Sequence, residues 1–482
     1  MNKTILAIDI GSTKICAIIA ELKEERIQII GHGIAKSQGV KKGIITNIEL
    51  ASKSIKKAIS DAKRISGSTI STATISISNA YAKSINATGI VNITQKDISI
   101  KEIDRVIRNA LYNANIPTEY DVIHVLPYNF KVDDQDFIED PYGMNASRME
   151  VDVNIIMTQK SSLSNLIKAV RSAGVEIDGV VLNGYASAIA TMDEDEKELG
   201  VAVIDLGGQT SNLIVHTGNS IRYNDFLSVG SNHITNDLSM ALHTPLQVAE
   251  NVKKRYGNLL GSSADVIELP IIGDEGNKNE VSLEIVHSVI LARVEEALML
   301  LAKSLDKSLL KEQIGSGLIL TGGMTKLKGI RELAQAIFDG MPVRIAQPEE
   351  KDVGGLFEEL KDPSFSTVIG LLLYSAGKHT EYEININNKL LHSKHQQTDQ
   401  LSKNPKFVKE QNGKKHDVSD IELGETIKEV HSKEKERAQE REERDRIRSR
   451  EEEEFVFEEL PKDPSESGNP IKKFANWARQ LF

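Results

Sequence analysis

Two short segments of this 482-residue chain carry residues suited to holding a phosphate chain. In "AIDIGSTK" an apolar run ends on Asp9 and is followed by Gly11, Ser12, Thr13 and Lys14. Glycine lets successive backbone N–H groups approach an anion, and a turn of such groups forms an anion-binding concavity. Asp9 would be available to a hydrated Mg2+, a hard cation that prefers oxygen ligands and keeps several waters. "VIDLGGQTSNL" repeats the arrangement with Asp205, Gly207, Gly208, Gln209 and Thr210. Aspartate and glycine are also ordinary turn residues, so either segment alone fits a plain β-hairpin. Two copies joined by a third glycine turn are harder to read as accident. That third segment, "GLILTGGMTKLKGI", runs an aliphatic strand into Gly322, Gly323 and Met324, then toward a helix whose N-terminus would face an anion. In "AENVKKRYG", Glu250 and Lys253 lie one helical turn apart on one face, a spacing that also suits a plain surface salt bridge.

The elements that must position these turns alternate between strand and helix. From Met1 to about Ala376, β-branched runs such as "TILAIDI", "KICAIIA", "VAVIDL" and "SNLIVH" are bounded by glycine or polar turns. Between them fall helical patterns such as "IELASKSIKKAISDAKRI" and "LSNLIKAVRSAG", the second stopped by Gly174. The implied class is α/β. The shared scheme of strand, Asp-x-Gly, polar pair and strand predicts two related halves that face each other across a cleft.

Composition narrows the partners. A net charge of −11 argues against a general nucleic-acid surface, which needs clustered basic residues. The single cysteine, Cys16, excludes an intramolecular disulfide and reads as a small buried thiol on a strand. Asp9 and Lys14 interrupt the apolar N-terminus before a signal peptide or membrane span develops, so a cytoplasmic protein is expected.

After Gly377 large apolar residues become scarce, and residues 378–468 are expected to be a disordered, charged linker. Within it, residues 433–454 mix both signs, with Glu440/Arg444 and Glu442/Arg446 at the spacing of a solvated helix. The end, "NPIKKFANWARQLF", is different. On a helical wheel Ile471, Phe474, Ala475, Trp477, Ala478, Leu481 and Phe482 share one side, while Lys472, Lys473, Asn476, Arg479 and Gln480 take the other. Asn469 suits the N-cap and Pro470 the first helical position. Residues 471–482 would span roughly 18 Å as a helix, too short for a hydrocarbon core about 30 Å thick. Residues 469–482 are therefore expected to lie in the interface of an anionic membrane, held weakly per copy and firmly by avidity.

The glycine segments resemble the actin, Hsp70 and sugar-kinase superfamily of nucleotide-binding proteins. Its five signature segments occur in order: phosphate 1 (Asp9 to Lys14), "GVVLNGYASAIA" as connect 1, phosphate 2 (Asp205 to Thr210), adenosine (Thr321 to Met324) and "PSFSTVIGLLLYSA" as connect 2. The resemblance implies ATP and Mg2+ as cofactors. Gly11, Ser12, Thr13 and Lys14 would grip the phosphates opposite Gly207, Gly208, Gln209 and Thr210, with Gly230 beside them. Asp9 and Asp205 would hold Mg2+ through water, Glu250 and Lys253 would reach the ribose, and Gly322, Gly323 and Met324 would flank the adenine. Asp205 and Gln209 are the catalytic candidates; with no other dedicated base, hydrolysis would be slow or absent. Ser231, where a second glycine-like position is expected, would loosen the contacts.

Within that superfamily, "DPYGMNASRMEVDVNIIMT" and "VLPYNFKVDD" resemble the inserted subdomain 1C that replaces actin subdomain 1B in the FtsA family of bacterial cell-division proteins. "GSTKICAIIAE", "GVKKGIITNIELASKSIKKAI" and "DFLSVGSNHITNDLSMALHTPLQVAENVKKRYG" are similar to that family too, so the resemblance covers residues 1–377. It implies an actin-like, two-lobed (ribonuclease H-like) fold. Subdomain 1A would span 1–83 and 163–197, 1C 84–162, 2A 198–230, 2B 231–315, and 2A with the return to 1A 316–377. The implied function is to tether the FtsZ ring to the cytoplasmic face of the inner membrane at the division site, with self-association into actin-like filaments and recruitment of downstream division proteins. The C-terminal peptide of FtsZ would dock on 2B, where Lys254 and Arg255 suit an acidic segment. A pilus-assembly ATPase and a small-molecule kinase on the same fold are the alternatives; the terminal amphipathic helix weighs against the first and the missing base against the second. A chaperone of the Hsp70 type would need a β-rich substrate domain.

Overall fold

The computed structural model describes residues 3–392 except 24–25, 95–96, 262 and 350–352. The terminal helix expected over 469–482, and the linker from 393 onward, lie outside the described residues.

Two sheets repeat one topology. In the first lobe, Lys3–Ile10, Lys14–Lys23 and Arg26–Lys36 form an antiparallel meander. Thr72–Ile77 adds parallel to Lys3–Ile10, and Glu176–Leu182 adds parallel to Thr72–Ile77. In the second lobe, Val201–Leu206, Ser211–Thr217 and Ser220–Leu227 form the meander, and Leu318–Thr321 and Val343–Ile345 add in parallel. The duplication expected from the sequence is thus a duplication of whole sheets. Every residue of Val201–Leu206 is buried, which explains why Val201–Ile204 reads as a continuous apolar run and not an alternating one, with Asp205 the one charged residue of the strand.

Each lobe has its own core. The first-lobe core joins Ile8, Ile18, Ile55 on the helix Ile48–Ser66, and Leu371 on the helix Ser366–Ser375. The second-lobe core joins Ile204, Leu213, Leu238 and Leu298, the last on the helix Leu283–Lys307. A third core lies under an inserted sheet. There Arg148–Gln159 pairs with both Ala82–Asn92 and Tyr120–Val132, and the helix Ile100–Asn113 covers one face.

The linker expected from residue 378 starts too early. Residues 378–392 are described, and Glu383–Asn385 extends the inserted sheet by pairing with Tyr120–Val132, with Leu390–Leu391 beyond it. Tyr382 and Ile384 are buried in the third core. The polar composition hides a strand pattern, since Tyr382, Ile384 and Ile386 alternate with Glu381, Glu383 and Asn385. Glu383 is itself fully buried, because donors surround it: His124 Nδ1–H at 2.6 Å, Tyr374 OH at 2.7 Å and Tyr185 OH at 3.0 Å. The Leu182 N–H donates to His124 Nε2 (3.1 Å), which fixes the proton of a neutral ring on Nδ1.

Candidate nucleotide site

The two Asp-Gly turns occupy equivalent places, each joining the first two strands of its sheet. Asp9 sits opposite Cys16 near the end of one hairpin, and Asp205 opposite Asn212 near the end of the other. The turns approach closely: a Cβ at Gly208 would fall 1.9 Å from Thr13 Oγ1. Side chains beyond the turns fix the carboxylates. Ser76 Oγ, on the neighbouring parallel strand, donates to Asp9 Oδ1 (3.0 Å). Ser187 Oγ donates to Asp205 Oδ2 (2.7 Å), with Thr367 Oγ1 at 3.3 Å.

Burial dominates the electrostatics. It raises Asp9 to about 6, against relief from the Ser76 hydrogen bond and from Lys14, with Asp205 adding repulsion. It also raises Asp205, opposed by the hydroxyls of Ser187 and Thr367 and by Lys14. Burial lowers Lys14, whose Nζ donates to Ser364 Oγ (2.9 Å) and lies 3.3 Å from the centre of the Phe365 ring. Two buried carboxylates sharing one nearby ammonium form a site in which a further cation would relieve the desolvation cost. Among the described residues no group of three or more His, Cys, Asp or Glu could hold a metal by itself. A pair of carboxylates nevertheless suits Mg2+, which takes one or two carboxylates and completes its shell with water and phosphate oxygens.

The remaining candidates gather around the second turn. Gly230 lies against it: a Cβ there would stand 2.6 Å from the Gly207 carbonyl and 2.8 Å from the Gln209 nitrogen. Ser231 N–H donates to Gly207 O (3.0 Å) and Asn232 N–H to Gly208 O (2.7 Å), so the start of the helix Ser231–Ala241 ties the turn down. Ser231 therefore braces the turn through its backbone.

Glu250 and Lys253 pair at 2.7 Å on the helix Leu246–Tyr256, but not as an ordinary surface salt bridge: the Lys253 side chain is only 8% exposed. Its Nζ also donates to Ser231 O (3.0 Å) and Thr235 Oγ1 (2.8 Å), which fastens the pair to the helix behind the second turn. Burial pushes Glu250 up, but hydrogen bonds from Lys253 and Thr235 outweigh it and hold the carboxyl below its ordinary value.

Gly322 lies at φ 91°, and a Cβ would meet Asp205 Oδ1 at 2.4 Å and the Leu206 carbonyl at 2.6 Å. The third turn thus touches the second carboxylate. It leads into a 3-10 turn, Gly323–Lys326, and the α-helix Ile330–Ile337 begins only later. The Met324 side chain is buried in the second-lobe core, because its position in the 3-10 turn faces inward; only its backbone is left for a ligand. Lys254 is exposed at 70% and reaches Glu250 Oε1 (3.3 Å), while Arg255 lies over the Tyr256 ring at 5.3 Å.

Comparison with known proteins decides the family. A family model for "Cell division protein FtsA" matches residues 202–370. Cell division protein FtsA of Helicobacter pylori strain J99 is 41% identical over 413 residues, covering 79% of this chain and 84% of that protein. The chain belongs to the FtsA family. Cell division protein FtsA of Pseudomonas aeruginosa strain PAO1 is 35% identical over 384 residues, covering 79% and 91%. The inserted sheet falls where a model described as "SHS2 domain inserted in FTSA" matches, residues 79–157.

A solved structure of the PilM–PilN type IV pilus biogenesis complex shares the actin-like fold, with TM-score 0.56 and 17% identity, covering 77% of this chain and 98% of that one. Among the described residues of this FtsA family member no helix is long and apolar enough to cross a membrane. Sequence reasoning misses the hydroxyls that hold the carboxylates. Ser187 and Thr367 lie inside the segments read as connect 1 and connect 2, but nothing in their spacing marks them as partners of Asp205.

Proposed function

We propose that this FtsA family member binds ATP with Mg2+ between its two Asp-Gly turns and uses the nucleotide to fix the relation of its lobes. The observation that carries the proposal is the pair of buried carboxylates, Asp9 and Asp205, at equivalent places on duplicated sheets, each followed by a glycine turn that nearly touches the other. A bound Mg2+ would supply positive charge where both carboxyls are pushed upward by burial. Backbone N–H groups of Gly11 to Lys14 and Gly207 to Thr210 would line the phosphates, Gly230 backing the second turn. Gly322, Gly323 and the Met324 backbone would stand by the base, and Glu250 with Lys253 by the ribose. Asp205 and Gln209 are the candidates for orienting water. With Asp205 tied to two hydroxyls and Gln209 bound through its amide oxygen, hydrolysis would be slow, and the nucleotide acts chiefly as a structural ligand.

The tail supplies the membrane contact. The apolar face of Ile471, Phe474, Trp477, Leu481 and Phe482, with Lys472, Lys473 and Arg479 opposite, would bind an anionic cytoplasmic membrane surface. Lys254 and Arg255 would meet the acidic C-terminal peptide of FtsZ, copies of the chain would associate into an actin-like filament, and the assembly would recruit further division proteins. The test of the nucleotide site is calorimetric titration of the full chain with ATP, with and without Mg2+. Saturable Mg2+-dependent binding that Asp9→Asn removes supports it; binding indifferent to that substitution contradicts it.

A further inference from the structure

The segment "GVKKGIITN" lies against both glycine turns, and the nucleotide reading assigns it nothing. Val40–Lys41 and Ile44–Ile45 form a tight hairpin whose central residues, Lys42 and Gly43, have φ of 49° and 78°. This left-handed pair is the backbone used by the shortest hairpins, and it is unusual for a lysine. The two N–H groups of the turn serve the two lobes. Lys42 N–H donates to Gln209 Oε1 (2.7 Å), on the second-lobe turn, and Gly43 N–H donates to Ser12 Oγ (2.8 Å), on the first. Position 43 admits no side chain, since a Cβ would stand 2.0 Å from Ser78 Oγ and 2.5 Å from Ser78 Cβ.

We infer that the Val40–Ile45 hairpin is an interlobe clasp that controls how fast nucleotide enters and leaves. The lobes cannot part at the two turns without breaking the bond from Lys42 to Gln209. The inference rests on the nucleotide reading and adds to it a control of rate. A barrier that must open for entry must open equally for exit, so weakening the clasp speeds association and dissociation by the same factor and leaves Kd unchanged. Loss of a phosphate contact acts differently, raising dissociation alone.

The test is stopped-flow association and dissociation of a fluorescent ATP analogue with Mg2+, on the full chain. Lys42→Pro removes the donor and cannot hold a positive φ, while Gly43→Ala drives the turn off Ser78. For an exposed hydrogen bond, both rates are expected to rise by about two- to fivefold in each variant. Lys42→Gly keeps the N–H and suits the turn, so it is expected to keep the natural rates. If Gly43→Ala fails to fold, Lys42→Pro against Lys42→Gly decides. Unaltered rates in Lys42→Pro, or a rise in dissociation alone, overturn the clasp while the nucleotide site stands. Failure of the natural chain to bind the analogue overturns both.

Discussion

Replacing Asp9 by asparagine should make the ligand-free protein more stable, and the gain should depend on pH. In the folded chain burial raises the Asp9 carboxyl from 3.8 to about 6. The folded state therefore holds this proton more tightly than the unfolded chain, and stability falls as pH rises between those two values. Well below 3.8 the carboxyl is neutral in both states and costs nothing. At about 1.36 kcal/mol per pKa unit, the cost above pH 6 is about 3 kcal/mol. Asparagine removes the charge and keeps an oxygen to accept from Ser76 Oγ. Urea unfolding of the full chain, free of nucleotide and metal, should show Asp9→Asn gaining about 3 kcal/mol at pH 7, about 1.6 kcal/mol at pH 5 and almost nothing near pH 3.5. A variant no more stable than the natural chain at pH 7, or a gain that does not change with pH, would refute the reasoning. A residue whose charge costs this much in the empty fold points to a ligand that needs the charge, as active sites commonly do.

Gly322→Ala should destabilise by more than about 2 kcal/mol in the same assay, because its φ of 91° is unsuited to alanine and a Cβ would strike the Leu206 backbone and Asp205. Glu383→Ala leaves the donors of His124 and Tyr374 unpaired in a sealed core, while Tyr185 OH keeps Thr380 Oγ1 at 2.9 Å; a loss of about 3 kcal/mol is expected, read by denaturant unfolding. Charge reversal at Lys254 and Arg255 should weaken FtsZ C-terminal peptide binding about tenfold by fluorescence anisotropy, more at low salt than at high.

Much of the lobed fold can be read from the chain because its strands are short, aliphatic and bounded by glycine. Asp9 and Asp205 stand out because each follows such a run and precedes a turn. Contacts between distant segments escape sequence reading. Ser76 and Ser187 look like ordinary small polar residues until the fold places them on the two carboxylates. Lys253 reads as a surface cation because its neighbours Lys254 and Arg255 are charged, yet the packing of two helices covers it. Strand 383–385 is lost in a polar composition because its most important residue, Glu383, is a carboxylate, and only its buried donors make it a core residue. Met324 follows two glycines in a motif that suggests a ligand, but the 3-10 turn carries its side chain into the core.

The proposed function requires one chain to join nucleotide, FtsZ peptide and membrane. The direct measurement is co-sedimentation of labelled FtsZ C-terminal peptide with anionic liposomes, in the presence of Mg2+ and ATP, carried either by the full chain or by a version ending at Ser467. Peptide and protein should pellet together with the full chain, and both should stay in the supernatant when the last residues are removed. Equal pelleting with the truncated chain, or protein pelleting without the peptide, would contradict the proposed tether.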